Sequence, residues 1–284
     1  MHQISPGIYY EDMYSGVTLG TIIQPHGTIM IDAPLRADDA RSWRSALNNL
    51  ASGPSRILVN LDSHLDRTLG SRALDCAIVA HQTTAQVFRN RPSVFKGHSA
   101  DSGAEWEVSN DVFGTRWAIP DITFSDQLYF QWGGPEVILE HHPGPTLGSI
   151  WVIIPSAKVI FVGDTILFDQ PPFLASADLE AWIVSLELLN DYYMDYNIIS
   201  GRGGPDGIKG VRAQLNIIKY ILNGLEKLAE KNAPPEKTEG MISQLMAKIS
   251  IPTSRREHYI QRLRHGLYYY YSQHYQPIES IKDN

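Results

Sequence analysis

The sequence predicts a mixed α/β fold that ends in a helical C-terminal extension. Short β-branched runs alternate with helical patterns through the first part of the chain, and nearly every segment from Ile208 onward has helical character. The 284 residues contain no linker long enough to separate independent domains. We therefore expect an α/β body over residues 1–208 and helices over residues 209–284 that pack on the same body.

The first third of the chain is expected to form strands and one long helix. Residues 16–34 predict two strands separated by a Pro-His-Gly turn, because Val, Thr and Ile favour strands. Apolar residues at helical spacing predict a helix over residues 36–51, ended by Gly53 and Pro54. Three shorter elements follow, namely a buried strand, a short helix and a strand at residues 56–61, 70–76 and 77–81.

The middle of the chain repeats the strand pattern before the helices take over. Two strand-rich stretches are followed by a helix and another strand, at residues 121–142, 148–167, 178–193 and 196–205. Residues 155–158 form the predicted hairpin turn inside the second stretch. Three predicted helices complete the chain, at residues 208–232, 241–248 and 254–275.

Composition limits the classes of partner and compartment. A formal net charge of −7 argues against nucleic acid as a partner, because phosphate binding requires a basic surface. The single cysteine, Cys76, excludes a disulfide within the chain and is typical of a reducing compartment. The first residues show neither a basic nor an apolar leader pattern, and the longest apolar run is too short to span a bilayer. We expect a cytoplasmic protein that has no membrane segment.

Charged side chains cluster directly after the strand at residues 56–61. Asp62, His64 and Asp66 alternate along the chain, and Arg67 follows the last of them. Two carboxylates and an imidazole are a chemically suitable ligand set for Zn, Mn or Fe. A polar loop that caps the next helix, with Asp66 paired to an arginine, would give the same pattern. The cluster alone leaves both interpretations open.

Three later strand ends also carry charged residues. His141 and His142 precede a Pro-Gly turn, Asp164 follows a fully apolar run, and Arg202 lies in a glycine turn. Because strand ends in α/β sheets cluster in space, we expect these residues to lie near the segment at 62–67. Asp32, which follows another apolar strand, is expected either to support these loops or to have a structural role.

Together, and in this order, these segments resemble the metallo-β-lactamase superfamily. The pattern of that family is His-x-His-x-Asp-His after a strand, then Pro-Gly-His-Thr, then Gly-Asp, then a Gly-His turn. The corresponding segments here are DSHLDR at 62–67, PGPT at 143–146, GD at 163–164 and GRG at 201–203. The resemblance covers roughly residues 5 to 210 and implies an αββα sandwich, to which the helical C-terminal extension is added.

The resemblance also implies which metal ligands are kept and which are changed. Three positions are unchanged, namely His64, Asp66 and Asp164, the last of which would bridge two ions in the family. Four positions hold other residues, in chain order Asp62, Arg67, Pro145 and Arg202. The first family site then contains Asp62, His64 and Asp164, and a histidine of the same turn, His141 or His142, could replace the ligand lost at Pro145. We take His142 as the candidate.

Both histidines of the second family site correspond to arginine in this chain. An arginine does not ligate a metal, but its planar fork pairs well with carboxylates. Arg67 and Arg202 beside Asp66 and Asp164 would therefore supply the positive charge that a divalent ion otherwise contributes. This predicts an Arg–Asp network in place of the second metal, and either one ion (Zn, Mn or Fe) or none at the first site.

The resemblance favours a divergent metal-dependent hydrolase with an unknown small-molecule substrate. In that hypothesis one ion activates water, Asp66 accepts a proton, and Arg67 and Arg202 clamp an anionic group of the substrate. The alternative is a non-catalytic ligand-binding or interaction module on the same scaffold, without metal. A redox protein with iron is a third hypothesis, which the loss of second-site ligands disfavours. The C-terminal helices are expected to cover the mouth of the site or to form a homodimer.

Overall fold

Two β-sheets packed face to face form the centre of the molecule, which a computed structural model describes over residues 1–50, 55–97 and 102–276. The strands in these residues are β1 (His2–Ser5), β2 (Ile8–Glu11), β3 (Leu19–Gln24), β4 (Gly27–Ile31), β5 (Arg56–Val59), β6 (Ala77–His81), β7 (Ile122–Phe124), β8 (Gln127–Phe130), β9 (Val137–His141), β10 (Ile150–Ile154), β11 (Val159–Gly163), β12 (Asn197–Ser200) and β13 (Pro205–Asp206). The α-helices are α1 (Ala37–Asn48), α2 (Gln82–Asn90), α3 (Leu179–Tyr192), α4 (Ile208–Glu230), α5 (Ile242–Lys248) and α6 (Arg256–Tyr275).

The first sheet contains β1 to β7 in chain order. Strands β1 to β4 pair antiparallel, as expected for strands joined by short turns. From β4 to β7 the pairing is parallel, with Ile29 opposite Ile57 and Val59 opposite Val79. The connection between β4 and β5 contains α1, which is the crossover that parallel neighbours need.

The second sheet has the order β13-β12-β11-β10-β9-β8. Its pairs are antiparallel except for β11 and β12, which run parallel because α3 connects them. A tight hairpin joins β10 to β11, and Lys158 closes it in the left-handed region with φ 51°. The two sheets thus each contain parallel neighbours whose ends point to a common edge.

Apolar side chains on both faces of each sheet explain the layered arrangement. Successive side chains of a strand point to opposite faces, and in β4 both faces are covered: Ile29 points between the sheets, and Met30 points toward Trp43 of α1. In β10, Val152 points between the sheets and Trp151 points to the outer helices. The order of layers is therefore helix, sheet, sheet, helix.

The C-terminal helices belong to the outer layer of the second sheet. Residues of α4, α5 and α6 share one apolar cluster with α3 and with the outward side chains of β10 and β11, among them Ile218, Leu245 and Leu267. None of the helices in the described residues has the length and apolar character needed to cross a membrane. The extension therefore packs on the sandwich rather than standing apart from it.

The structure confirms the predicted αββα sandwich with a helical C-terminal region. It also adds elements that the sequence pattern did not predict: β1, β2 and helix α2. Helix α2 begins Gln-Thr-Thr, residues of only moderate or low helix propensity, and it is started instead by a cap in which Nδ1 of His81 accepts from the Thr83 amide at 3.2 Å. Gly53 and Pro54, the predicted end of the first helix, lie outside the described residues.

Candidate metal centre and its arginine network

The candidate site lies where strands of both sheets end. In the first sheet, Asp32 follows β4, and Asp62 and His64 follow its parallel neighbour β5. In the second sheet, Asp164 follows β11 and Arg202 follows its parallel neighbour β12. Parallel neighbours end at the same edge of a sheet, so the two edges bring these five side chains together. The structure thus brings together strand ends that are far apart in the chain.

Asp66 and Arg67 reach the same place through a short turn. A 3₁₀ turn over Leu65–Arg67 directs both side chains inward, and hydroxyl Oγ1 of Thr68 donates to the carbonyl of His64 at 2.7 Å. Asp66 is 1% exposed and Arg67 is 0% exposed. Charged groups removed from water to this degree need partners inside the protein.

The guanidinium of Arg67 is surrounded by three carboxylates. Its Nη1 donates to Oδ2 of Asp32 at 3.0 Å, and its Nη2 donates to Oδ1 of Asp164. Its Nε lies 3.3 Å from Oδ1 of Asp62, at ion-pair distance but outside hydrogen-bond geometry. All three nitrogens of Arg67 therefore face acidic partners.

Arg202 pairs with the other side of the same cluster. Its Nε donates to both oxygens of Asp164, at 3.1 and 3.2 Å, and its Nη1 donates to Oδ2 of Asp66 at 2.7 Å. The ring of Phe173 lies 4.6 Å from the guanidinium carbon, a cation–π contact. Nη2 is buried and has no hydrogen-bond partner among the described residues. The two arginines thus share Asp164 between them.

Burial and paired charge act in opposite directions on the carboxyl groups. Burial alone would raise the pKa of Asp62, but the charges of Arg67 and His64 hold that pKa below its ordinary value. Burial would likewise raise the pKa of Asp164, and Arg202 and Arg67 lower it. These two carboxyl groups are therefore anionic at neutral pH.

Asp32 behaves differently from the other carboxyl groups. Burial outweighs the nearby charge of Arg67 and raises the pKa of Asp32 to about 7. Four carboxyl groups, those of Asp32, Asp62, Asp66 and Asp164, face the guanidiniums of two arginines. Carboxyl groups therefore outnumber guanidiniums four to two in this cluster.

One part of the cluster has the spacing of a metal site. One ligand atom from each of Asp62, His64 and Asp164 lies within 4.8 Å of the others. Nδ1 of His64 is 3.1 Å from Oδ2 of Asp62 and 3.4 Å from Oδ2 of Asp164. In a tetrahedral site with bonds of about 2.1 Å, ligand atoms lie about 3.4 Å apart, so the three side chains fit one ion. A protonated imidazole between two carboxylates would have the same spacing.

The structure corrects the assignment of His142 as a fourth ligand. The His142 ring stacks on Trp151 with ring centroids 3.6 Å apart, and its Nε2 lies 3.1 Å from Oε2 of Glu140. Trp151 belongs to the outer face of the second sheet, so this contact directs His142 away from the Asp–His–Asp group. His141 stacks instead on His81, with centroids 3.7 Å apart.

A cavity of about 260 Å³ lies next to the Asp–His–Asp group. His64 and Asp66 form part of its wall, Phe173 contributes an aromatic face, and α6 contributes Arg262 and Gly266. The His64 side chain is 15% exposed, whereas the side chains of Asp62 and Asp164 are each 1% exposed. Access to the group is therefore from the His64 side, and the C-terminal extension forms part of the wall.

The contacts of Asp66 and of the two arginines do not favour the roles predicted from the sequence. Asp66 accepts hydrogen bonds from the amides of Glu105 and Trp106, at 3.2 and 2.9 Å, as well as from Arg202. The oxygens of Asp66 are therefore already engaged by three donors of the protein. Neither Arg67 nor Arg202 is among the described residues that line the cavity. Both arginines are instead buried partners of the carboxylates.

The residues that shape the cavity beyond the motif were not predicted from the sequence. Arg91, Trp106, Phe173 and Arg262 come from four separate segments, none of them adjacent to the motif. For Arg262 a signal existed, because its position falls on the apolar stripe of α6 between Tyr259 and Gly266. A charged residue on a buried stripe indicates a specific internal partner.

Comparisons with known proteins agree with this fold. A family model described as the metallo-beta-lactamase superfamily matches residues 69–194. That segment contains Asp164 but begins after Arg67 and ends before Arg202, so most of the altered positions lie outside it. No curated protein matches the chain.

Solved structures share the fold at low sequence identity. A metallo-beta-lactamase from Pontibacter korlensis is 18% identical with a TM-score of 0.56, and covers 76% of this chain and 97% of its own. The DIM-1 metallo-beta-lactamase is 16% identical with a TM-score of 0.59, and covers 77% of this chain and 96% of its own. A double mutant of the sec-alkyl sulfatase PisA1 is 14% identical with a TM-score of 0.63. Its alignment covers 99% of this chain, which spans about half of that protein (51%).

The family match and the layered fold lead to one conclusion. The similar metallo-beta-lactamase structures cover 76% and 77% of this chain, and the superfamily model matches the segment that contains Asp164. The chain has the metallo-β-lactamase fold, and its residues 69–194 match the model of that superfamily.

Proposed function

We propose that this protein is a metal-dependent hydrolase that uses a single divalent ion, held by Asp62, His64 and Asp164. The observation that supports this proposal is the convergence of three ligand atoms beside a cavity, within a cluster in which four carboxyl groups face two arginines. In the proposal, Arg67 and Arg202 occupy the place of a second ion. Zn, Mn and Fe all suit one imidazole and two carboxylates.

The chain's own residues would have distinct tasks in such a site. A divalent ion bound there would polarise a substrate oxygen and lower the pKa of bound water. Asp62 and Asp164 supply the anionic ligands, and His64 supplies the ligand that borders the cavity. Arg67 and Arg202 hold the two carboxylates in place before an ion binds, as outer partners of metal ligands commonly do.

Asp66 is a positioning residue in this proposal rather than the proton acceptor. It fixes Nη1 of Arg202 at 2.7 Å, and Arg202 in turn fixes Asp164. The Glu105 and Trp106 amides hold Asp66 itself. The chain from Asp66 to Asp164 therefore orients one metal ligand through two charged contacts.

The pairing of both arginines with carboxylates favours a second candidate function. Because Arg67 and Arg202 already satisfy Asp62, Asp66 and Asp164, the carboxylates are stable without an ion. A protonated His64 between Asp62 and Asp164 would complete the neutralisation. The protein would then be a non-catalytic small-molecule binding module on the same scaffold.

Metal content distinguishes the two functions. Full-length protein expressed in metal-replete medium and purified without chelator is expected to contain about one equivalent of Zn, Mn or Fe by elemental analysis. His64→Ala and Asp62→Asn should each lower this to below about a tenth of an equivalent, since even outer-partner losses cost 10–100-fold in metal affinity. His26→Ala, which removes an exposed histidine, is the matched control and should keep the metal.

Activity then tests hydrolysis itself. The metal-loaded protein is expected to cleave p-nitrophenyl esters, and chelation should abolish the reaction while re-addition of the metal restores it. Protein that carries no metal in replete medium, or metal that survives His64→Ala, would contradict the proposal. The first of these outcomes would favour the binding module.

A further inference from the structure

We propose that the cavity binds a small organic anion with an apolar body, and that Arg91 recognises the charge of this ligand. As an assignment of the substrate class, the inference rests on the proposed function. As a statement about binding, it rests on the wall of the cavity. Neither the motif nor the Asp–His–Asp group includes Arg91, which lies just beyond the end of α2.

Two arginines of the cavity wall have no acidic partner. Among the described residues, neither Arg91 nor Arg262 has a carboxylate within 4.0 Å of its guanidinium, although both line the cavity. The carboxylate in the same wall, Asp66, is already neutralised by Arg202 and two amides. The wall therefore contains two guanidiniums without an ion-pair partner among the described residues, and one carboxylate that is paired.

Arg91 has a donor to spare and is held in a fixed orientation. Its Nη2 donates to the carbonyl of Ser63 at 2.9 Å, while Nη1 is buried and donates no hydrogen bond within the described residues. Its guanidinium carbon lies 4.8 Å from the Phe88 ring centroid and 4.6 Å from that of Trp117. A rigid guanidinium with a free donor suits an anionic oxygen.

Arg262 contributes charge but little further hydrogen bonding. Its Nε and Nη2 donate to the carbonyl of Gly103, at 3.0 and 2.7 Å. Its Nη1 donates to Oε1 of Gln170 and to the carbonyl of Pro171. Burial lowers the pKa of Arg91 and of Arg262 to about 10, so both remain cationic at neutral pH. In the proposal, Arg262 adds a fixed positive potential, and Arg91 supplies the hydrogen bond to the anionic group of the ligand.

The rest of the wall suits an apolar group of limited size. Val87, Trp106, Phe173 and Leu174 give it a largely apolar lining. At about 30 Å³ per water in the liquid, a volume of about 260 Å³ accommodates about nine water-sized groups. This is smaller than the sites of drug-sized ligands. An anion with a body of about five or six carbons fits both the charge and the volume.

Titration with matched ligands tests the inference by calorimetry on the full-length protein. Hexanoate is expected to bind at least tenfold more tightly than its neutral counterpart hexanamide, and hexylammonium should bind more weakly than either. The measurement is made on chelator-treated protein as well as on metal-loaded protein. The comparison separates ligation of an ion by the carboxylate of hexanoate from recognition of that carboxylate by Arg91. Hexyl sulfate in place of hexanoate shows whether a sulfate group serves equally well.

Two substitutions assign the selectivity to Arg91. Arg91→Met keeps an apolar stem between the two rings and should lower the preference for hexanoate over hexanamide to less than threefold. Arg89→Met, on the exposed side of the same helix, is the matched control and should leave the preference unchanged. Arg91→Lys, which keeps the charge, should retain part of the preference.

The results separate this inference from the proposed function. Selective binding of hexanoate by protein that carries no metal after metal-replete expression without chelator would support the inference and overturn the proposed hydrolase. A metal-containing protein that binds hexanoate and hexanamide equally, or neither, would overturn the inference and leave the hydrolase standing. Unchanged selectivity in Arg91→Met would overturn the assignment to Arg91.

Discussion

The replacement of Arg67 tests whether a guanidinium has taken over the charge balance of the site. Arg67→Leu removes the only group that contacts Asp32, Asp62 and Asp164 together in the described structure, and leaves three buried carboxyl groups beside an apolar side chain. Breaking a buried ion pair by removing one partner costs about 3–5 kcal/mol. We expect the free energy of unfolding to fall by about this amount.

Urea denaturation followed by tryptophan fluorescence measures the loss. With a slope of about 1–3 kcal/mol per molar urea, the midpoint should fall by at least about 1 M. Arg67→Lys keeps the charge but loses the planar fork, so its loss should be smaller and measurable even if the leucine variant does not fold. Arg41→Leu removes an exposed ion pair with Asp38 and serves as control, with an expected change of about 0–1 kcal/mol.

One result would refute this reasoning. That result is a free energy of unfolding for Arg67→Leu within about 1 kcal/mol of the value for Arg41→Leu. The three carboxyl groups would then be protonated in the folded variant and would not need a cation. The charge-replacement interpretation of the second site would then fail, whatever metal the first site holds.

Two further predictions concern backbone packing and pH dependence. Gly201→Ala should destabilise the protein by about 1–3 kcal/mol in the same urea assay, because the new Cβ would lie 2.6 Å from the Gly163 carbonyl carbon and 2.7 Å from Nη2 of Arg67. Gly240→Ala meets no atom within 4 Å and should change stability little; equal effects in both variants would contradict the prediction. Burial raises the pKa of Cys76 to about 11, so iodoacetamide should react with it at pH 8 roughly 20-fold more slowly than with a free cysteine. Mass spectrometry should show a rate that rises nearly tenfold per pH unit between 8 and 10, and a plateau near pH 9 would show that the thiol is not shifted.

The fold was predictable because its signals are local. β-branched runs, turn residues and helical spacing each depend on a few neighbouring positions, and they lie in an order that the sandwich requires. The short strands β1 and β2 were missed because polar residues interrupt the apolar pattern in each of them. Helix α2 was missed because its start depends on the His81 cap rather than on propensity.

The candidate site was predictable only in part. The motif order pointed to Asp62, His64, Asp66, Arg67, Asp164 and Arg202, and the structure brings these six residues together. No sequence pattern decides where the His142 side chain points, since that depends on its contact with Trp151. The cavity wall depends on contacts between residues far apart along the chain, such as Arg262 and Gly103, which are separated by 159 positions. No local sequence pattern predicts such a contact.

The separation of Asp66 and Arg202 along the chain has a consequence for synthesis. These partners are 136 residues apart, and ribosomes add about 5–20 residues per second, so about 7–27 s pass between them. During that interval Arg67, next to Asp66 in the chain, is available to the acidic residues of the first sheet, and Arg202 is not yet made. Until Arg202 is made, three carboxyl groups of the first sheet's edge, Asp32, Asp62 and Asp66, share a single arginine, Arg67.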